Sequence, residues 1–371
     1  MAGPGPAAET SRWHRHDWDA VLSGGATADR YFARPGLIRK DRLAGFAPPD
    51  RHPATAAASS FAELRAALFR LGVRSSEAAG RGEAAPDPAC VQFVLKKAHS
   101  SNASGIRFLT GADAQAAAPA DARRAAKKRA APGELGARRA AALAVAGAAG
   151  VLAAAALGAR EPRRAEPRGA AAGELRRLLG PAAGEEERDG GGKPEVWVVQ
   201  RYVAPALHQG RKFHLRALLL CVGDLSAYLH EGARVLLASE PFELGRRDAG
   251  RFYAHVTNMG ASSGHDGFAE GAQNLPLSAL GAEEEAERIL REAAQAVGGT
   301  LARLRAAGRR QFFTLPNCWE LFGVDLLLDE SRSRRVLLLE VNPSPSLAMF
   351  GDPDTVRQRL LGGDPLQDAP G

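Results

Sequence analysis

Aromatic residues make up only 6% of this 371-residue chain, and it has just three cysteines. Cys90, Cys221 and Cys318 are scattered, with no Cys-x-x-Cys pair. An odd, unclustered set excludes a disulfide framework and a cysteine-built zinc site. Met1 to Trp18 contains no apolar core, so it does not read as a secretory signal, and a reducing cytosol is the default compartment. There is no Gly-x-x-x-x-Gly-Lys-Ser/Thr loop. Gly190-Gly191-Gly192-Lys193 runs into Pro194 and lacks the spacing.

Charge is plentiful but uneven. The stretch Ala112–Pro194 carries 15 Lys/Arg against 10 Asp/Glu, a local excess of +5 within a net +7. A basic segment can attract an acidic polymer, although a solvated low-complexity insert explains it equally simply. Residues 112–192 are biased towards Ala, Gly, Arg, Pro and Glu, and include Ala140–Ala159, 20 residues without a charge. That length could span a bilayer. Its Ala and Gly content inserts poorly, so the reading is a surface insertion rather than a membrane anchor.

The informative stretches are short. Val336-Leu337-Leu338-Leu339-Glu340-Val341-Asn342-Pro343 begins as a buried strand and then sets Glu340 and Asn342 two residues apart, hence on one face. Pro343 and Pro345 end the pairing. Upstream, Phe322-Gly323-Val324-Asp325-Leu326-Leu327-Leu328 supplies a second carboxylate. An antiparallel hairpin with Leu328 opposite Leu337 puts Asp325 opposite Glu340. Three oxygen-bearing side chains then meet, as a satisfied polar cluster or as a site for Mg²⁺.

Val91 to Leu109 reads strand, small polar loop, strand, with Lys96 near the end of the first strand and Gly105 closing the loop. A loop of this kind can hold phosphates through its backbone N–H groups. Val196 to Val203 is a further strand. In Arg211 to Val222, strand alternation places Lys212, His214 and Arg216 on one face and Phe213 and Leu215 on the other. Three basic groups in a row suit polyphosphate or an acyl phosphate, and also a solvated strand face. Ser226 to Phe242 reads as a hairpin turning at Glu231-Gly232. Two helices are predicted. One opens at Ser59-Ser60 with Glu63 as capping partner and carries a Phe61, Leu64, Leu68, Leu71 stripe. The other spans Ala282 to Ala307, with Ile289, Ala293, Val297, Leu301 and Leu304 on one face.

Taken together, these motifs resemble the tubulin-tyrosine ligase-like family of ATP-grasp ligases. Phe322 to Asp325 with Leu338 to Pro345 resembles its metal-binding hairpin, and Arg39-Lys40-Asp41 its N-terminal Arg-Lys-Asp element. Val199 to Tyr202 resembles its Val-Gln-Lys-Tyr hinge, and His255 to Asn258 its His-Leu-Thr-Asn. The chain departs from the family pattern at three places. Asn102-Ala103-Ser104-Gly105 replaces a Lys-Gly-x-Gly loop, His214 replaces an aspartate, and His230 replaces an arginine that engages the acidic tail.

The resemblance implies an α+β ATP-grasp fold with antiparallel sheets, a reduced N-terminal subdomain over 1–90 with a disordered start over 1–10, and a catalytic core over 91–111 and 193–350. The insertion at 112–192 and a flexible tail over 351–371 complete it. It implies ATP and Mg²⁺ as cofactors. ATP would contact Lys40, Lys96, Gly105, Gln200, Arg201, Tyr202, Val203 and Lys212, and the metal Asp325, Glu340 and Asn342. Lys212, Arg216 and Glu340 would carry catalysis, and His214, Arg216, His230, Thr257 and Asn258 would bind substrate. The partners implied are a free amino acid, tyrosine by preference, and the acidic tail of tubulin, with neither nucleic acid nor membrane. The tyrosine preference follows the lack of a long basic C-terminal extension. The expected protein is a cytoplasmic, cytoskeleton-associated monomer. The alternatives are a polyglutamylase or glycylase, and a degenerate tubulin-binding protein. Protonation of His214 and His230 below neutral pH is expected to favour an anionic tail.

Overall fold

The computed structural model describes residues 16–79, 90–100, 105–117, 195–242, 251–331 and 333–351. The run Ala140–Ala159, most of the insertion and nearly all of the tail lie outside them, as do residues 101–104 of the small loop. Among the described residues no helix is long and apolar enough to cross a membrane.

Two antiparallel sheets make up the molecule. The first contains β1 (Thr55–Ala58), β2 (Val91–Lys97), β3 (Arg107–Thr110) and β4 (Trp197–Arg201), in the order β1-β4-β2-β3. Alternation decides what each face carries. Phe93, Leu95, Trp197 and Val199 point to one side and bury against Leu64, Leu68 and Leu71 of the helix Phe61–Ala79. Each such side chain contributes about 1.5–3 kcal/mol by leaving water. Lys96 and Gln200 are therefore turned to the opposite face. The helix begins as predicted: Ser60 Oγ accepts the Glu63 N–H at 3.2 Å, and the Glu63 carboxylate accepts the Ser59 N–H at 2.6 Å.

The second sheet contains β5 (Leu207–His208), β6 (Arg211–Val222), β7 (Ser226–Leu229), β8 (Arg234–Leu237), β9 (Asn274–Pro276), β10 (Trp319–Leu328) and β11 (Val336–Pro343). Its order is β11-β10-β6-β8-β9, with β5 and β7 also paired to β6. Phe213, Leu215, Ala217, Leu219 and Cys221 of β6 join Phe322, Val324, Leu326 and Leu328 of β10 in the main core. The helix Glu283–Ala307 covers that face with Ile289, Ala293, Val297, Leu301 and Leu304, the stripe the sequence predicts.

The expected hairpin between Ser226 and Phe242 does not form. β7 pairs with Leu219–Val222 and β8 with Phe213–Arg216, so both lie in succession along the same 12-residue β6. The reversal falls earlier, at Gly223 and Leu225, whose φ angles are +56° and +69°. Glu231-Gly232 is a kink between collinear strands, held by Ala233 N–H donating to Glu231 O at 2.8 Å.

The N-terminal segment is pinned to the core side of the second sheet. Glu320 on β10 is 3% exposed and faces the core. Its carboxylate accepts the Tyr31 N–H at 3.1 Å and pairs with Arg34 at 2.8 Å, with Arg30 at 3.8 Å. Burial pushes the Glu320 carboxyl up; Arg34, the Tyr31 N–H and Arg30 oppose that shift. Close approach also requires Gly36, whose N–H donates to Gln311 O at 2.9 Å and where a Cβ would collide with Leu304. The helices Pro35–Ile38 and Lys40–Phe46 follow, and Lys40 emerges at the edge of the open face of the second sheet. Glu320→Ala, which leaves Arg34 buried beside nothing, is expected to lower unfolding stability by roughly 3 kcal/mol. Glu320→Leu combined with Arg34→Met should recover most of it. Urea denaturation reads both, and an unchanged midpoint for Glu320→Ala would refute this anchor.

Candidate active site

Between the open faces of the two sheets lies a solvent-open cleft. Val94, Ile106, Phe108, Leu327 and Leu339 give it apolar walls. Arg201-Tyr202-Val203 line its hinge side, where the first sheet passes into the second. Lys40, Lys96, Lys212, Asp325 and Glu340 supply charge.

The carboxylates meet as expected, by a register the sequence does not foresee. Asp325 pairs with Glu340, but Leu328 pairs with Val336 rather than Leu337, because a bulge intervenes between Asp325 and Leu326. The extra residue on β11 is Leu339. Val336 and Leu338 point to the core, and so does Val341 beyond the bulge, while Leu339 and Glu340 both line the cleft. The bulge thus re-aims the strand so that Glu340 and Asn342 share the open face.

Asp325 is 6% exposed and is held by Arg216, its cross-strand neighbour on β6. The guanidinium grips both carboxylate oxygens: Nε contacts Oδ1, and an Nη lies 3.0 Å from Oδ2. The Arg216 side chain crosses Gly323, where a Cβ would stand 3.3 Å from Arg216 Cδ and 3.1 Å from Pro345 Cβ. Asn342 Nδ2 donates to Asp325 Oδ2 at 3.1 Å and to Glu340 Oε1 at 3.4 Å. Lys40 Nζ donates to the Ser100 carbonyl at 2.5 Å and lies 3.5 Å from Glu340 Oε2. Lys40 therefore ties the N-terminal segment, the turn after β2 and the carboxylate pair together.

The other two lysines face each other across the sheets. Lys96 Nζ donates to Gln200 Oε1 at 3.0 Å. Burial pushes its ammonium down, opposed by Glu340. Lys212 Nζ sits 4.7 Å from the centre of the Tyr202 ring and 3.4 Å from its hydroxyl. Burial, reinforced by the charge of Lys96, lowers its pKa to about 7. Two cations forced together in a part-apolar cleft raise its affinity for an anion.

His214 lies beside this pair, 5% exposed. Its Nδ1 is 2.6 Å from Thr257 Oγ1 and its Nε2 is 3.6 Å from Asp325 Oδ1. Burial and the Arg216 charge lower its pKa to about 3. The expectation of a protonated His214 below neutral pH is thereby overturned: the ring is neutral, and it bonds a hydroxyl rather than attracting an anion. His230, unlike His214, does not line the cleft. Its ring accepts the Gly232 N–H at 3.0 Å and shapes the kink between β7 and β8. Gly105, with φ +75°, packs against the Lys97 side chain outside the cleft lining. Thr257 and Asn258 do line it, although Asn258 Oδ1 accepts the Ala261 N–H at 3.0 Å as N-cap of the helix Met259–Ser262. Two further participants are not among the expected site residues, although His255 opens the His255–Asn258 motif. His255 bonds Tyr202 OH through Nδ1 at 2.7 Å and lies 4.7 Å from the Phe108 ring. Ser100 contributes only a carbonyl.

The carboxylates suit a hard cation. Asp325 and Glu340 present oxygens on one face, and the Asn342 amide, whose NH₂ bonds both, would add an oxygen on turning over; Mg²⁺ takes few carboxylates while keeping water and phosphate oxygens. Among the described residues no group of three or more His, Cys, Asp or Glu forms a self-sufficient metal cage, so these residues would hold Mg²⁺ only together with a ligand that brings its own oxygens.

Residues 189–356 match the model of the tubulin-tyrosine ligase family. A probable tubulin–tyrosine ligase of Schizosaccharomyces pombe is 31% identical over 157 residues, 42% of this chain and 37% of that protein. A probable tubulin polyglutamylase of Homo sapiens, TTLL2, is 28% identical over 183 residues, 46% of this chain and 30% of that protein. The chain thus spans well under half the length of these relatives. In fold it is similar to the C-terminal domain of K. lactis Pby1, an ATP-grasp enzyme interacting with the mRNA decapping enzyme Dcp2. That likeness has a TM-score of 0.52 at 17% identity and covers 96% of this chain and 83% of the other. Residues 189–356 are thus similar to the tubulin-tyrosine ligase family, and the chain is built on the ATP-grasp fold.

Proposed function

We propose that this chain is an ATP-dependent ligase that joins an amino acid, tyrosine by preference, to the acidic C-terminal tail of tubulin in the cytoplasm. The observation that carries the reading is the convergence of Lys40, Lys96 and Lys212 on a cleft whose far wall is the Asp325–Glu340 pair. ATP would transfer its γ-phosphoryl group to a carboxylate. The amine of the second substrate would then attack the acyl phosphate, losing a proton and expelling phosphate, with ADP as the other product. Phosphoryl transfer of this kind needs positioning and charge neutralisation more than covalent help from the protein.

Each residue has a place in that scheme. The apolar walls and the Gln200–Val203 hinge accept a flat base, and Lys96 and Lys212 neutralise its phosphates. Asp325, Glu340 and Asn342 would hold Mg²⁺, which would supply charge neutralisation at the transferred group. Arg216 fixes the direction of Asp325. His214, as a neutral imidazole on Thr257, offers a hydrogen bond at the edge where the acceptor would lie. A glutamate-adding reading draws support from the relatives named as polyglutamylases, and a free amino acid other than tyrosine would use the same chemistry.

Glu340→Gln keeps the shape of the site and removes one charge. Turnover should fall at least about a hundredfold in a folded protein; near-normal turnover would refute the metal assignment. The nucleotide step is also pH-dependent. Lys212 is charged below about 7 and neutral above it, so an anion that pairs with it takes up a proton when it binds in mildly alkaline solution. Mg²⁺-ATP affinity is expected to weaken as pH rises from about 6.5 to about 8.5. Calorimetry in buffers of different ionisation heat measures the uptake, and Lys212→Met should abolish it. The acceptor is tested by offering labelled Tyr, Glu and Gly in parallel with detyrosinated tubulin and Mg²⁺-ATP. Tyrosine incorporation is expected. Glu or Gly alone would transfer the assignment, and ATP-independent tail binding without incorporation would make the chain a binding protein.

A further inference from the structure

Thr55 lies outside the cleft lining, on the edge strand β1, directly opposite Gln200 of β4. Its hydroxyl donates to the Pro53 carbonyl at 2.7 Å. A carbonyl carries no proton, so the single hydroxyl proton is committed there. What remains on Oγ1 can only accept, and it accepts from Gln200 Nε2 at 3.0 Å. The amide is thereby oriented, with its NH₂ towards Thr55 and its oxygen towards Lys96 Nζ, which donates to Oε1 at 3.0 Å. The reverse orientation would set two donors against each other. Gln200 is buried, so no bulk water is at hand to repair a wrong choice.

We propose that Thr55 is a positioning residue that sets the direction of the Gln200 amide and through it holds Lys96 in the cleft. That Lys96 then meets nucleotide phosphates rests on the function proposed above. The chain of donors is continuous: Lys96 ammonium to Gln200 oxygen, Gln200 NH₂ to Thr55 oxygen, Thr55 hydroxyl to Pro53 carbonyl. Pro53 itself lines the cleft, so the relay begins and ends at its wall.

Thr55→Val keeps the β-branch and the strand propensity but removes both the donor and the acceptor. Thr55→Ser keeps both. Mg²⁺-ATP affinity, measured by calorimetry, is expected to weaken about fivefold in Thr55→Val, to stay within twofold of the parent in Thr55→Ser, and to show no further loss when Thr55→Val is added to Lys96→Met. A merely structural role would weaken binding equally in both backgrounds. Acetic anhydride labelling of Lys96, read by mass spectrometry on the free protein, tests the relay without nucleotide. The Gln200 bond favours the charged lysine, so its loss should speed acetylation about threefold in Thr55→Val and not in Thr55→Ser. Unchanged Lys96 labelling in Thr55→Val would overturn the relay, as would an undiminished affinity or an additive loss in Lys96→Met. Absence of nucleotide binding in the parent chain would overturn the nucleotide reading alone, and the labelling would still decide the relay.

Discussion

Asp325 is buried as one half of an ion pair, with Arg216 gripping both of its oxygens. A carboxylate buried to this depth is costly unless paired and hydrogen-bonded, and the pairing sets conditions on its surroundings. β6 and β10 must be neighbours in the register that puts Arg216 opposite Asp325. Gly323 must be bare for the arginine to cross it. The bulge at Leu339 must return Val341 to the core while leaving Glu340 and Asn342 on the open face. One ion pair thus links the packing of the main core to the geometry of the cleft.

The electrostatics of the cleft follow from the same sheet. Lys40, Lys96, Lys212 and Arg216 face Asp325 and Glu340, and burial has removed His214 from the sum by making it neutral. Cations exceed acids even with Lys212 half titrated near neutral pH. Desolvation and mutual repulsion both penalise this arrangement, and a polyanion whose charge exceeds that of the cation it carries relieves both. The cleft is stable enough to form because the cost is borne by two well-packed cores behind it, one under the helix Phe61–Ala79 and one under Glu283–Ala307.

What was legible in the sequence had a period. The alternation of Lys212, His214 and Arg216 against Phe213 and Leu215, the stripe of the long helix and the Ser60–Glu63 cap are local patterns, and the structure repeats them. The Asp325–Glu340 pairing was legible too, since both strands carry an apolar run that fixes the face. What stayed hidden depends on partners distant in the chain. Nothing in Ser226–Phe242 says that its two short strands both lie along β6 instead of pairing with each other. The bulge was invisible because Leu339 belongs to an unbroken leucine run and either face would accept it. Glu320 belongs to no local pattern, and only the fold brings Arg34 and Tyr31 to it.

His214 shows why a motif match cannot stand in for an environment. Read from the sequence, a histidine among basic residues suggests a charge that switches near neutrality. In the fold the same ring is closed off from water, faces Arg216 and bonds the Thr257 hydroxyl. Protonation would place a further cation beside Arg216 and Lys212, with Asp325 already committed to Arg216 and the pull of Glu340 outweighed by burial. Where the family resemblance places an aspartate, this chain puts a neutral group. The substitution changes this edge of the cleft by one negative charge, and burial beside Arg216 opposes a positive ring. Any difference in acceptor preference traceable to this position must therefore come from hydrogen bonding and shape, because the ring brings no charge of its own.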